Sequence, residues 1–470
     1  MSEVRTYMSF TYPADPARIQ TIPDMNMSYA LASTLVEWNS EKQIVAGLAE
    51  QWQVVGPNVY RLTLRKNSKW SDGSKLTCQD IKRSLERGMK VYPDDLRSLA
   101  VMLDSIECRS DQEIDFKLTI SAHDSGLLGK LTEPNFGILK VEENNSVKNR
   151  ATTGAFYLGP ESNNSELVLL QNSHWHRFDA KAPQRVIIRR LPTGTTSQTV
   201  LLKDQWPNLT ETSSLISADT LNQYQAQRFQ IWRRPLDKFF HIELGKRVAG
   251  ASGPALIKFL RSKLDMKDIT AGLSGFTLTD QVFPQGYQLY SSKFSCPISS
   301  DVKIPSEFAG RPLDVLLSAE RITDTLKENI RRTLKDLTGK EPHLISASLT
   351  ELHSLMNHGD YDICFSSVGL ADPDPEGAMS YYLEGETSMI PQAGNNFLKR
   401  LDEARRNKDL QRRLEFMRSI LADAVCDGYL LPIFHLSTVG IARPELDLTN
   451  IPASDESVTF SKIRFQGGKQ

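Results

Sequence analysis

No apolar run in this 470-residue sequence approaches the roughly 18 to 20 residues needed to cross a bilayer, and the short run Leu430 to Phe434 is interrupted by Pro432. No transmembrane helix is predicted. An excess of either charge is also lacking: Lys plus Arg number 56 against 57 for Asp plus Glu. Without a global field to hold phosphate backbones or anionic lipid, nucleic acid is excluded as an expected partner. Cysteine is scarce. Cys78, Cys108, Cys296, Cys364 and Cys426 are scattered, odd in number and without a C-x-x-C pair, so neither a zinc site nor a disulfide framework is expected. No internal repeat and no low-complexity segment stands out. The opening Met1-Ser2-Glu3 has no basic n-region and no apolar h-region. That leaves two readings, a cytosolic chain or one whose signal peptide is absent from this sequence.

What is present is the composition of an ordinary globular protein, 40% hydrophobic and 24% charged. The length exceeds the roughly 250 to 300 residues at which one core stops growing, so two or three lobes are expected. In the first third, Ile114, Phe116, Leu118 and Ile120 alternate with Asp115, Lys117 and Thr119, and Tyr60, Leu62 and Leu64 alternate likewise, the period of half-buried strands. Between them Thr77 precedes Asp80 by three and Ile81, Leu85 and Met89 follow at helical spacing, predicting a helix from about Gln79 to Met89. Polar stretches at 142–153 and 159–165 read as turns.

After Arg234 the pattern changes. Leu313 to Leu317 suits a buried strand, and Ile322, Leu326, Ile330, Leu334 and Leu337 form a helical stripe ended by Gly339. Ser348 and Glu351 make a capping box for a second helix, and Tyr361 to Val368 reads as a further strand. Strand, helix, strand, helix, strand in that order predicts parallel pairing with crossover helices, an α/β lobe. Leu410, Leu414, Met417, Leu421 and Ala424 keep one helix face apolar while Arg412, Arg413, Glu415 and Arg418 face water. The glycine-rich stretch Gly245 to Pro254 is a candidate loop near an interlobe crossing, or an ordinary surface loop.

Four stretches together resemble the peptide- and nickel-type solute-binding proteins of ABC transporters, family 5. Gly47-Leu48-Ala49-Glu50-Gln51-Trp52 leads into Tyr60 to Leu64, the Asp72-Gly73 turn and the helix capped at Thr77. Thr153-Gly154-Ala155-Phe156-Tyr157 is followed by Leu167 to Leu170, Asn172 and Trp175. Gly359-Asp360-Tyr361-Asp362-Ile363 runs toward Ala371-Asp372-Pro373-Asp374-Pro375, and Leu430-Leu431-Pro432-Ile433-Phe434 is similar to the family's near-terminal strand. The resemblance implies an α/β, two-lobed periplasmic-binding-protein fold with a cleft between the lobes. One lobe would comprise 1–236 and 440–470, with a β-rich subdomain at about 45–150, and the other 237–439. It also implies a periplasmic or extracytoplasmic monomer, the second of the two N-terminal readings, that binds a small molecule or short peptide and hands it to a membrane ABC permease, without a cofactor.

Site residues follow from the same resemblance. Asp15-Pro16 followed by Pro23 matches the loop whose backbone, here Gln20, Thr21 and Ile22, pairs with an extended ligand as an added strand. Val368, Leu370 and Asp372 match the opposing segment, in which the carboxylate binds a ligand ammonium. The competing readings are a turn-rich connection for the first and a helix-cap carboxylate for Asp372. Pro373 where the family usually carries an aromatic, Gly369 where many peptide binders place Trp, and the lack of a Leu-Leu-x-x-Ala-Gly helix in Ser291 to Ala309 weaken a peptide assignment.

Catalytic or metal chemistry finds no support. His174-Trp175-His176 puts two imidazoles on one side of a predicted strand with no carboxylate or cysteine at ligand spacing. His353 and His358 sit five apart, Ser252 lacks the nucleophile-elbow spacing, and Thr338-Gly339-Lys340-Glu341 reads as a helix end. The expectation is a binding protein and no enzyme. A rival is a sensing or interaction protein that uses the same fold without transport.

Overall fold

The computed structural model describes residues 2–8, 10, 14–17, 19, 22–39, 43–91, 97–100, 102–119, 121–122, 126–142, 146–191, 197, 199–212, 216–234, 238–248, 250, 252–297, 299, 301–319, 322–370, 375–383, 390, 395–407, 409–451 and 458–466. Contacts divide the chain into two units: Met1–Glu211 with Tyr224–Arg234 and Val439–Gln470, and Thr212–Gln223 with Pro235–Thr438.

The first unit is built on a seven-stranded sheet in the order Phe156–Leu158, Glu166–Gln171, Arg185–Arg189, Glu3–Tyr7, Leu209–Thr212, Val439–Ala442, Gln230–Arg233. Glu3–Tyr7 pairs in parallel with Arg185–Arg189, while the chain's late strand Val439–Ala442 lies antiparallel to Gln230–Arg233. A separate four-stranded antiparallel sheet, Ala49–Gly56, Val59–Leu64, Glu113–Leu118 and Leu103–Cys108, packs with the helix Cys78–Val91. Its core holds Leu62, Leu64, Trp70, Ile81, Leu85 and Phe116. The helix starts where predicted because the Asp80 carboxylate accepts from both the Thr77 amide (2.9 Å) and the Thr77 hydroxyl (2.8 Å).

Three expectations for this unit are corrected. The Glu113–Leu118 strand does not turn Asp115 outward: the residue is 1% exposed. Arg61 donates to it at 2.7 and 2.9 Å and Arg109 at 2.7 Å, so a carboxylate that alternation assigns to water is held inside by two guanidinium groups. Cys78 and Cys108 are disulfide-bonded with Cα atoms 5.7 Å apart, and in the second unit Cys296 and Cys426 are bonded at 5.5 Å. Sequence spacing missed both pairs because the partners lie 30 and 130 residues apart and meet only through the fold. Finally, His174-Trp175-His176 lies in a turn and not in a strand.

The second unit carries a six-stranded sheet in the order Phe276–Leu278, Leu430–Leu436, Lys238–Leu244, Ile363–Gly369, Asp314–Ser318, His343–Ala347. Its last three strands are parallel, linked by helices Asp324–Thr338 and Leu349–His358. The crossover pattern read from the sequence is therefore present. Thr323 caps the first helix at Leu326 (3.1 Å), and Gly339 ends it at φ 71°. Ser348 and Glu351 form the reciprocal capping box on the second, ended by Gly359 at φ 75°. One sheet face packs Phe240, Ile242, Val315, Leu317, Leu326, Ile330 and Leu334. Phe239, Leu370, Met379, Leu401, Leu414 and Met417 form a second cluster.

The stretch 245–254, expected as a loop, carries regular structure among its described residues. Lys246–Val248 forms a 3-10 turn and helix Ser252–Lys263 follows. Gly245 is required by close approach, since a Cβ there would lie 1.9 Å from the Tyr361 carbonyl oxygen.

Candidate functional site

The segment matched to the ligand-binding region of the second unit is delivered by the strand Ile363–Gly369. That strand is anchored at its start. Asp362, 0% exposed, accepts two bonds from Arg311 (2.7 and 2.7 Å), one from Arg247 (2.9 Å) and one from the Asp314 amide (2.9 Å). Burial pushes its pKa up, but the Arg311, Asp314 and Arg247 donors outweigh that, and the carboxyl titrates below its ordinary 3.8.

From this anchor the strand runs antiparallel to Lys238–Leu244 in a fixed register: Cys364 opposes Glu243, Ser366 opposes His241, Val368 opposes Phe239 and Gly369 opposes Lys238. Val368 packs on the Phe239 cluster, and Leu370, 2% exposed, is sunk into it. The Leu370 side chain is therefore enclosed by that cluster. Asp372 lies outside the described residues.

On the first unit, Gln20 and Thr21 lie outside the described residues. Ile22 opens the helix Ile22–Leu31, and its side chain is likewise outside them. The approach to this segment is pinned by Asp15, which accepts from Arg87 of the Cys78–Val91 helix (2.6 Å) and from the amide of Ala17 (3.1 Å). The Ile22–Leu31 helix was not read from the sequence, because it buries Asn26 and Ser28 instead of showing an apolar stripe. Their partners are distant: Asn26 donates to Glu211 (3.1 Å) and Ser28 to the Pro134 carbonyl (2.8 Å).

The 153–175 stretch proves to be an interlock. A Cβ on Gly154 would lie 2.5 Å from the Ala30 carbonyl oxygen, so only glycine fits. Asn172 donates to the Gly154 carbonyl (2.8 Å), Trp175 to the Ser33 hydroxyl (3.2 Å) and Thr153 to the Ile138 carbonyl (2.7 Å).

Sequence reasoning overlooked a polar strand in the core of the second unit. In Lys238–Leu244 all seven residues are buried, including Lys238, His241 and Glu243. His241 Nε2 and Glu243 Oε2 are 3.3 Å apart, and the His241 ring stacks on Phe239 at 4.8 Å. His435 donates from Nε2 to the Val282 carbonyl at 2.8 Å, and burial outweighs that bond to hold its pKa below the ordinary 6.5. The signal was available as three ionisable residues inside an apolar heptad, Lys-Phe-Phe-His-Ile-Glu-Leu.

Among the described residues no group of three or more His, Cys, Asp or Glu is arranged to hold a metal ion, and no helix is long and apolar enough to cross a membrane. His176 Nε2 lies 3.5 Å from Glu37, which in turn pairs with Arg177 at 2.6 Å.

Residues 43–229 match the family model of the bacterial extracellular solute-binding proteins, family 5 Middle. Among curated proteins the chain is similar to the periplasmic murein peptide-binding protein MppA of Escherichia coli K12, 25% identical over 195 residues, 34% of this chain and 34% of that protein. It is 34% identical over 86 residues to the periplasmic oligopeptide-binding protein OppA of the same organism, 18% of this chain and 16% of that one. The matches thus span about a third or less of these relatives' length. Among solved structures, the dipeptide-binding protein of Pseudoalteromonas sp. SM9913 in complex with Met-Leu superposes with a TM-score of 0.83 at 15% identity, covering 99% of this chain and 100% of that one. NikA from Brucella suis in complex with Fe(III)-EDTA gives 0.82 at 16% identity, again covering 99% and 100%. The fold is that of the two-lobed periplasmic binding proteins.

Proposed function

We propose that the chain is a bacterial extracellular solute-binding protein of the family 5 type and that it captures a short peptide or related solute outside the cytoplasm for an ABC importer. The observation that carries this reading is the family match over 43–229, together with a fold shared over the whole chain with a dipeptide-binding protein. A binding protein with two lobes suits transient capture, because ligand contacts shared by both lobes exist only in the closed state and binding then shifts the equilibrium toward it.

In this reading the backbone of Gln20, Thr21 and Ile22 pairs with an extended ligand, and Val368, Leu370 and Asp372 supply the opposing wall. Leu370 serves through its peptide groups and Asp372 through its carboxylate. The described geometry supports the second part in one respect: the Asp362 anchor and the Phe239 cluster fix the strand that leads into Leu370. A rigid wall lowers the ordering cost of binding.

Mass spectrometry of the gently denatured, purified protein tests the reading by identifying any retained solute. Calorimetric titration with di- to pentapeptides then tests it directly. A protein that retains no peptide and binds none of the panel would remove the peptide assignment.

A further inference from the structure

The bridge between Cys296 and Cys426 joins a segment without regular structure to the end of a helix, across 130 residues of sequence. The described residues of 279–312 form no helix or strand. Their backbone bonds are local turns: the Tyr290 amide donates to the Tyr287 carbonyl (3.1 Å), Phe294 to Ser291 (3.2 Å) and Phe308 to Pro305 (2.9 Å). This strap is held by side chains, with Val282, Phe283 and Leu289 in the Phe239 cluster and Phe308 on the opposite sheet face. The disulfide is its covalent tie to the helix Leu410–Cys426.

The two sulfurs are not equivalent. Arg261, in the last turn of the helix Ser252–Lys263, donates from Nη1 to Cys296 Sγ and from Nη2 to the Cys296 carbonyl (3.4 Å). A disulfide sulfur is a weak acceptor, whereas a thiolate beside a guanidinium is strongly favoured. Burial lowers the Arg261 pKa, and Asp280 opposes this only through space. An anion at Cys296 would therefore relieve a half-buried charge. Cys426 stands in the opposite field: it is the last residue of its helix, where the dipole disfavours negative charge, and Asp427 follows it. Both cysteines are partly exposed, so a small thiol can reach the bond. The Cys78–Cys108 bridge is the contrast, since Cys78 has no exposed surface and lies in the apolar core of the first unit, a setting that keeps a thiol inert.

We propose that Cys296–Cys426 is a thiol-exchange site, at which an external dithiol opens the bond by attack on Cys426 and Cys296 leaves as a thiolate held by Arg261. The attacking thiolate forms a new S–S bond to Cys426 Sγ as the Cys296–Cys426 bond breaks, and its electron pair goes to Cys296 Sγ. The second sulfur of the reductant then displaces Cys426, which takes up a proton. The dithiol ends as a disulfide, the protein is reduced by two electrons, and of the dithiol's two protons one stays on Cys426 and one passes to water. Opening the bond frees the strap from the helix. Because Val282, Phe283 and Leu289 share a cluster with Leu370, the change reaches the segment assigned to the ligand wall, and only that consequence rests on the peptide-capture reading.

The test uses the full native chain and dithiothreitol, followed by alkylation and peptide mass spectrometry. Cys296 and Cys426 are expected to be alkylated while Cys78 and Cys108 stay bonded, and hydrogen exchange should then rise in 279–312. Brief exposure to a monothiol, 2-mercaptoethanol, should leave its adduct on Cys426 and the alkyl group on Cys296. Arg261→Met is expected to slow reduction by roughly tenfold, and Arg261→Lys to keep most of the rate. The sign separates charge from packing: an arginine that only packs the strap would, once removed, expose the bond and speed its reduction. Faster reduction in Arg261→Met, adducts chiefly on Cys296, unchanged exchange in the strap or equal opening of both bridges would each overturn the proposal. The adduct measurement uses the wild type, so it decides the matter even if Arg261→Met does not fold. None of these readouts involves a ligand, and peptide capture stands or falls separately.

Discussion

Arg311 grips Asp362 with both terminal nitrogens, Nη1 to Oδ2 and Nη2 to Oδ1, each at 2.7 Å. Arg247 and the Asp314 amide complete four bonds to a carboxylate with no exposed surface. Bidentate pairing sets direction as well as energy, so this cluster fixes where the parallel strand Ile363–Gly369 begins. Removing one member of such a buried cluster leaves charge unpaired, at a cost of about 3 to 5 kcal/mol. Asp362→Asn should therefore destabilise the second unit by about that amount. Peptide-level hydrogen exchange is expected to show the loss of protection in Asp314–Ser318, Ile363–Gly369 and Lys238–Leu244. Wild-type exchange rates in these strands would show that the cluster adds no net stability.

The acid dependence of stability follows from Asp362 and Asp115. Both titrate below the ordinary 3.8, Asp115 because Arg61 and then Arg109 donate to it against the opposing effect of burial. A carboxyl whose folded pKa is depressed contributes stability above its unfolded pKa and loses it as pH falls through the folded value. Thermal midpoints should hold from neutrality down to about pH 4 and fall below it. Asp115→Asn and Asp362→Asn should each show a lower plateau and a shallower acid limb. Parallel limbs in wild type and variants would assign the acid loss to other groups.

How much could be read in advance depended on where each residue's partner lies. Elements set by local pattern were legible: the Thr77–Asp80 start, the Ser348–Glu351 box, the Gly339 stop and the alternation that predicts parallel strands between 314 and 369. Features set by distant partners were not. Asp115 looks solvated until Arg61, 54 residues earlier, is placed across from it. Asn26 looks like a loop residue until Glu211 reaches it across 185 positions. Lys238, His241 and Glu243 drew no reading, because composition cannot show that their strand lies inside a six-stranded sheet. For the proposed ligand site, the address in the chain came from resemblance alone, and the structure describes only the strand register and the packing around Val368 and Leu370.

The cysteines give a count that can be checked. Of the five, four form the two disulfides and Cys364 is a buried thiol outside both. Thiol titration in denaturant without reductant should find one thiol per chain, rising to five after reduction. Closing separations of 30 and 130 residues restricts the unfolded chain by roughly 3 to 5 kcal/mol each on a loop-entropy estimate. Reduction should then lower the urea midpoint of the native protein. Disulfides persist where thiols are not kept reduced, which agrees with the proposed extracytoplasmic site of action. Five thiols before reduction would contradict both pairs.

The sharpest test of the proposed ligand concerns Asp372. A peptide carries an ammonium as well as a carboxylate, and a protein that reads both ends selects by charge separation and hence by length. If Asp372 receives the ammonium in a poorly hydrated site, that charge-assisted bond is worth roughly 1.5 to 3 kcal/mol. Asp372→Asn keeps the shape and removes the charge, so at about 1.4 kcal/mol per decade binding should weaken roughly 10- to 100-fold, with little change in apo unfolding. N-acetylation of the peptide should cost the wild type a similar factor and the Asn variant much less. Unaltered affinity in Asp372→Asn, or equal binding of free and acetylated peptides, would rule out the amine anchor, and Pro373 with Gly369 would then direct the search to non-peptide solutes.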